Sequence, residues 1–236
     1  IPLIIVNGRI SPSSYKNYSK IRCFFKKILS FYSLILIQSQ MDAERIISIG
    51  AEQDKVEVMG NLKFDIENLL SIEETEKLKQ ELNIQDKKLI LAGSTHKGED
   101  EIILNVFKKL NAKHHGIRLM VAPRHPERNS QVLKMIADSG FSFGLRSKNS
   151  NFADSQIIIL DTMGELGKLY STAYVSFIGG SFSGTGGHNP LESCIYNVPV
   201  LSGPTVFNFK DIYEYLVSKA AAKIVKNENE LYIALD

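Results

Sequence analysis

The chain has 236 residues, 44% of them hydrophobic, which is enough for one large or two smaller cored domains and excludes a disordered protein. Lys plus Arg number 28 against 26 for Asp plus Glu, so the overall charge does not point to a nucleic-acid binder and any anion site must be local. The two cysteines, Cys23 and Cys194, lie far apart with no metal-ligand spacing, which fits a reducing compartment and argues against a disulfide framework or a zinc site.

In chain order, LIIV (3–6), LILI (34–37), VEVM (56–59), KLILAG (88–93), IRLMVA (117–122), IIIL (157–160), YVSFIG (174–179), VPVL (198–201) and AAKIV (221–225) read as strands. Nearly continuous apolar runs are what strands covered by helices on both faces require. Helical patterns fall between them: MDAERIISI, EETEKLKQEL, EDEIILNVFKKL, ERNSQVLKMIADS, GELGKLYSTA, NPLESCIY and FKDIYEYLVSK. This alternation specifies an α/β fold with mainly parallel, doubly wound Rossmann-like sheets. The stretch 21–40 is broken by Lys26 and Lys27, so no run reaches the length of a spanning helix. With Lys16, Lys20 and Arg22 nearby, it reads either as a basic amphipathic helix on an anionic membrane surface or as a helix with one core face leading into a buried strand. A polar break follows Gly60-Asn61, so residues 1–60 are expected to be the closing part of one domain and 61–236 most of a second.

In open parallel sheets ligands sit at the carboxyl ends of strands, so the loops after the apolar runs should hold the chemistry. After KLILAG, Ser94 or Thr95 can cap a helix or present amides to an anion. After IRLMVA, Arg124 and His125 stand between Pro123 and Pro126, and the fixed backbone aims the guanidinium as a fork for phosphate or a base edge. After IIILD, Met163 and Gly164 allow a planar ligand to approach the backbone, while Thr162 and Glu165 can form a capping box. After YVSFIG comes GGSFSGTGGHNPLES (179–193), a glycine-rich loop running into a helix with Asn189 as N-cap and Pro190 in the first turn. Its amides and the helix dipole suit a phosphate, and Glu192 can accept hydrogen bonds from two ribose hydroxyls. The pattern is neither G-x-G-x-x-G nor a P-loop, so it points to a nucleotide without specifying which.

Taken together, NGRIS (7–11), QSQMDAERIISIGA (38–51), VMGNLKFD (58–65), AGSTHKGE (92–99), APRHPER (122–128), TMGELGKLY (162–170), FIGGSFSGTGGHNPLE (177–192) and PVLSGPTVFNF (199–209) resemble the 3-deoxy-D-manno-octulosonic acid (Kdo) transferases of the GT-B glycosyltransferase class, in the same order. The resemblance implies a GT-B fold and inverting, metal-independent transfer of Kdo from CMP-Kdo to a lipid A precursor at the cytoplasmic face of the inner membrane, with no cofactor and no nucleic-acid partner. It implies cytidine contacts from Arg124, Met163 and Gly164. Phosphate-side contacts would come from Ser181, Gly187, His188 and Asn189, the ribose acceptor would be Glu192, and Lys63 and Ser94 would lie near the sugar carboxylate or phosphate. Asn7 and Arg9 would lie on the acceptor side. The family's membrane anchor and its catalytic carboxylate base are expected before Ile1, and a closing helix beyond Asp236, so the chain reads as mainly a donor-binding part. The alternatives are a UDP-sugar GT-B enzyme, either a transferase or a 2-epimerase, and a nucleotide-binding fragment without catalysis.

Overall fold

The computed structural model describes residues 1–60, 69–148 and 152–236. The chain divides into two compact units, Ile1–Glu67 and Asn68–Asp236. The expected domain boundary after residue 60 and the candidate Lys63 fall on residues 61–68, outside the described residues.

The first unit is a parallel sheet of β1 (Leu3–Gly8), β2 (Tyr32–Ile37) and β3 (Val56–Val58), in that order. Its crossovers are α1 (Pro12–Ser19) with α2 (Arg22–Leu29), and α3 (Gln40–Ser48). Ser11 and Ser39 start α1 and α3 by accepting the backbone N–H of Ser14 and Asp42. Asp42 also accepts Ile10 N–H at 3.0 Å, and Arg45 donates to Ile10 O at 2.8 Å, so α3 holds the loop that leaves β1. Ile35, Ile37, Ala43, Ile46 and Ile49 form the core, to which α2 contributes Leu29 and part of Phe25. The opposite side of α2 remains in solvent, with Phe24 60% and Ile21 53% exposed. Both readings of this stretch thus have a physical basis: one face is core, and an exposed face mixes apolar and basic residues.

The second unit is a seven-stranded sheet, parallel at every pairing, in the order β10-β9-β8-β4-β5-β7-β6. Its strands are β4 (Lys88–Thr95), β5 (Ile117–Pro123), β6 (Phe143–Leu145), β7 (Ile157–Ile159), β8 (Val175–Ile178), β9 (Val200–Ser202) and β10 (Ala222–Ile224). The helices are α4 (Ile72–Glu81), α5 (Glu99–Lys113), α6 (Asn129–Asp138), α7 (Leu166–Leu169), α8 (Leu191–Cys194), α9 (Lys210–Ser218) and α10 (Glu228–Leu235). Leu89, Leu91, Leu119 and Ile157–Ile159 have no exposure, as a sheet covered on both faces requires. Helix α5 buries Ile103, Val106, Phe107 and Leu110 at helical spacing against this sheet.

The apolar pattern anticipates every strand except the edge strand β6. Phe143-Gly144-Leu145 has a glycine between its two apolar residues and so shows no continuous apolar run, and Gly144 is required because a Cβ there would meet the Phe152 ring at 2.8 Å. From β4 the chain builds outward through β5 and the β6–β7 pair, then crosses to the other side of β4 to add β8, β9 and β10. The reversal between β4 and β8 opens the crevice at their carboxyl ends where ligands bind in such sheets.

Candidate functional site

At that crevice the backbones of β4 and β8 approach closely. Gly179 is glycine because a Cβ would lie 2.3 Å from the Ser94 carbonyl oxygen, and Gly93 because a Cβ would overlap the Tyr170 hydroxyl at 2.0 Å. The space a side chain would need is taken by the protein itself: at Gly179 by Ser94 and Thr95 backbone, and at Gly180 by Thr185 and His188. Ser94 adopts φ 54°, bending the chain out of β4.

The residue that organises the loop is Glu99. It is 1% exposed and accepts backbone N–H groups from His96 at 2.9 Å, Gly180 at 2.7 Å, Ser181 at 2.8 Å and Phe182 at 2.8 Å. The amides expected to receive an anion in the first half of the glycine loop thus already hold the protein's own carboxylate. Of the later amides, Gly187 donates to Gly180 O at 2.8 Å and His188 to Gly179 O at 3.2 Å. Ser181 is wholly buried, its hydroxyl donating to Ile178 O and accepting Gly203 N–H, both at 2.8 Å, so its side chain stabilises the loop from beneath. From outside, Asn208 Nδ2 donates to Thr185 O at 2.9 Å. The loop is braced on both sides rather than slack.

Expectations about helix starts are corrected too. Neither Ser94 nor Thr95 caps α5; Gly98 occupies that position at φ 90°. Thr95 instead donates to Asp100 at 2.5 Å, and Asp100 pairs with Arg128, which also reaches Thr95 O at 3.0 Å. Thr162 does not cap α7: its hydroxyl donates to Glu165 at 2.7 Å, joined there by Arg146 at 3.2 Å and Lys168 at 3.1 Å. Burial works against ionisation of Glu165, but hydrogen bonds from Thr162, Arg146 and Lys168 outweigh it and hold the carboxyl down at about 2. Asn189 accepts Leu191 N–H at 3.2 Å, but the N-cap position of α8 is held by Pro190 and not by Asn189 as expected, and α8 spans only Leu191–Cys194. A single turn carries little macrodipole, so positive charge at this end must come from side chains.

Those side chains converge. Arg124 follows β5, its N–H donating to Thr95 O at 3.0 Å; among the described residues its guanidinium has no hydrogen-bond partner. Its charge is felt at His96, His188 and Glu192. Burial, then the neighbouring His96, Arg124 and His125, bring His188 down to about 4. Half-buried Glu192 is raised by its burial, opposed by Asn189 and Arg124. Gly164, at φ 79°, has open space where a Cβ would sit, and Met163 is 74% exposed. The structure therefore brings together Arg124, His188, Asn189 and Glu192, with Ser94 at the rim of the strand ends. Sequence reasoning singled out neither Glu99 nor His96 as a site residue. A glutamate one residue after Gly98 in a strand-to-helix loop was the available signal for Glu99; only the fold shows which amides it reaches. Asn7 and Arg9 lie at the carboxyl end of β1 in the first unit, where Asn7 adopts φ 58° and accepts from Gln38 Nε2 at 2.9 Å.

A hollow of about 740 Å³ lies at the opposite, amino ends of the strands, between Lys88, Tyr174, Pro199 and Asp236. It contains none of the candidate residues and sits at the end of the sheet where open α/β folds do not bind ligands.

Residues 1–66 match the family model described as 3-deoxy-D-manno-octulosonic-acid transferase (kdotransferase). A 3-deoxy-D-manno-octulosonic acid transferase of Haemophilus influenzae is 37% identical over 222 residues, covering 92% of this chain and 51% of that protein. A bifunctional glycosyltransferase/methyltransferase of Fusobacterium nucleatum is 38% identical over 239 residues, covering 99% of this chain and 37% of that protein. The chain thus spans about half the length, or less, of the curated relatives it matches. Among solved structures, the C-terminal CMP-Kdo binding domain of WaaA from Acinetobacter baumannii aligns with a TM-score of 0.63 and 31% identity, over 69% of this chain and 87% of that domain. UDP-GlcNAc 2-epimerase from Methanocaldococcus jannaschii aligns over 100% of this chain and 62% of its own, with a TM-score of 0.60 and 19% identity, a likeness of fold.

Proposed function

We propose, for a chain that belongs to the family of 3-deoxy-D-manno-octulosonic acid (Kdo) transferases, that it supplies the donor side of Kdo transfer from CMP-Kdo to a lipid A precursor, inverting and without a metal cofactor. The observation that carries the reading is the gathering of Arg124, His188, Asn189 and Glu192 at the β4–β8 crevice of a unit 31% identical to a CMP-Kdo binding domain. We assign Arg124 to the nucleotide phosphate rather than to the cytidine contact that the resemblance implies, because its charge acts on His188 and Glu192, and Glu192 accepts hydrogen bonds from the ribose hydroxyls. Met163 and Gly164 lie along the base. When the bond between the sugar and the phosphate oxygen breaks, its electron pair goes to CMP, which gains negative charge. A fixed guanidinium in a crevice whose loop is already braced stabilises that charge without reorganising.

The acceptor and the membrane belong to the same proposal. Residues 1–41 contain Arg9, Lys16, Lys20, Arg22, Lys26 and Lys27 and no acidic residue. The exposed Ile21, Phe24 and Phe31 lie among these cations. Basic residues interleaved with exposed apolar ones suit the anionic surface of a bilayer, here the cytoplasmic face of the inner membrane where a lipid acceptor would be met.

Calorimetric titration of the chain with CMP and with UDP tests the donor assignment: CMP binding with UDP at least ten-fold weaker is expected, the scale of about 1.4 kcal/mol. Preference for UDP would sink it and favour the UDP-sugar reading, whose support is the fold shared with the 2-epimerase.

A further inference from the structure

His96 lies in the loop between β4 and α5, and its Nε2 is 2.8 Å from Nε2 of His188. The two rings stack at 5.1 Å and 20°, and His125 packs against His96 at 5.4 Å and 89°. Two imidazole nitrogens at hydrogen-bond distance share one proton: one ring donates and the other accepts. If both nitrogens carried protons, two donors would face each other, so a second proton is disfavoured unless an anion offsets it.

The carboxylate that acts on His96 through space, Glu99, is committed to the loop amides. Arg124 comes from the end of β5, and Lys97 adjoins His96 in sequence. Arg128, in the turn before α6, is occupied by Asp100 on α5. Glu99 faces the loop amides, Glu127 lies 3.8 Å from His125, and Glu192 is on α8. Among the described residues no carboxylate is hydrogen-bonded to the His96 or His188 ring. Burial lowers His96 as it lowers His188, with Glu99 opposing and His125, Arg128 and Arg124 adding to the effect. Nor do these rings suit a metal: no group of three or more His, Cys, Asp or Glu among the described residues could hold one. A cluster of imidazoles beside a guanidinium that has no hydrogen-bond partner among the described residues is complementary to a phosphate.

We propose that His96 is a positioning residue for the donor phosphate: it orients His188 through the Nε2–Nε2 hydrogen bond, and the pair takes up a proton when a nucleotide phosphate binds beside it and Arg124. This rests on the donor-site reading above. Before binding, the pair is neutral and holds the ring of His188 in one tautomer. Binding brings the negative charge that the second proton needs. The nucleotide site therefore tightens as pH falls through the neutral range, by protonation of the protein.

Calorimetry of CMP binding to the 236-residue chain at pH 7, in two buffers of different protonation enthalpy, reads the proton directly. The expected result is net uptake approaching about one proton per CMP bound, the linkage of a single group whose pKa rises on binding. CMP has its own phosphate ionisation near ~6, so His96→Asn and His96→Phe are measured alongside, with thermal unfolding reporting that they fold. In these variants the uptake should disappear. The roughly ten-fold tightening expected per unit of pKa shift should flatten between pH 8 and 6, while affinity at pH 8.5 changes little. Uptake unchanged in both variants would place the proton on the nucleotide and overturn the proposal. CMP binding with no uptake by the unaltered chain would overturn it while leaving the donor site standing; no CMP binding would bring down the donor-site reading and this inference together. Nitrogen NMR of the imidazoles in the unaltered chain is the check that needs no variant: at pH 7, CMP should move His96 and His188 toward the protonated pattern, and unmoved signals would also overturn it.

Discussion

The two units use the same parallel α/β grammar with different degrees of closure. In the second, β4 is flanked by β5 and β8 and covered on both faces, and Leu89, Leu91 and Ala92 have no exposure. In the first, β1 is an edge strand whose Leu3, Ile4 and Val6 are each about half exposed, and α2 leaves Phe24 in solvent. The second unit can therefore hold its strand-end loops rigidly, with a buried carboxylate serving as an internal ligand for amides. What the first unit presents along residues 1–41 is a cationic, partly apolar surface.

The largest effect that can break this contrast is at Glu99. Glu99→Ala would leave four backbone N–H groups without their acceptor, and removing one partner of a buried charged network costs about 3–5 kcal/mol. Loss of hydrogen-exchange protection at Gly180, Ser181 and Phe182, together with weakened CMP binding, is the expected readout; a variant with unchanged protection would mean the loop is held by other contacts.

Next comes Gly179→Ala, which drives a Cβ into the Ser94 carbonyl. Overpacking of this kind costs about 1–3 kcal/mol, to be read from denaturant unfolding, whereas Gly184→Ala at the open loop tip should cost less, mainly through its φ of 77°. Comparable costs at the two positions would deny that the strand ends are tightly packed.

Arg124→Ala and Glu192→Ala should each weaken CMP binding by about 1–3 kcal/mol, the scale of a charge-assisted hydrogen bond, while leaving the thermal midpoint within a few degrees. Unchanged affinity in both folded variants would move the nucleotide site elsewhere.

Acid should distinguish the units as well. A histidine held below its ordinary value stabilises the fold above that value, and the stabilisation is lost as pH falls through the folded value; for His188 the window runs from 6.5 to about 4. Glu165 follows with the same sign, its contribution lost from 4.5 to about 2. Thermal midpoints of the second unit should thus decline in two stages, with the first stage reduced in His188→Asn, because His96 is also lowered and contributes with the same sign; a single stage starting below pH 4.5 would contradict the lowered histidines.

The smallest effect is on the first unit's surface. Lys20→Gln and Lys27→Gln should each reduce binding to phosphatidylglycerol vesicles by about 1 kcal/mol, the usual contribution of one cation near an anionic bilayer, measured by co-sedimentation. Insensitivity to both would remove the electrostatic part of the membrane proposal.

Much of this was readable in the letters. Apolar runs marked every strand except β6, where Gly144 interrupts the two apolar residues. The double-proline frame marked Arg124, and Asn189 before Pro190 marked a helix start, although the helix proved to be one turn long. The glycine loop was legible as a special segment but not for its reason. Its glycines admit neighbouring backbone and side chains more than ligand, and Glu99, which receives its amides, stands more than eighty residues earlier in the chain.

The α/β class, the order of elements, the family resemblance and the candidate strand ends were readable from the letters, because burial periodicity and turn chemistry are local. Only the tertiary structure decided which amides were free and which histidines touched. It also decided that His96 and His188, ninety-two positions apart, share a hydrogen bond. The physical reason is that a hydrogen bond or an electrostatic field depends on distance through space, and a parallel sheet brings its strand ends together in an order unlike their order in the chain.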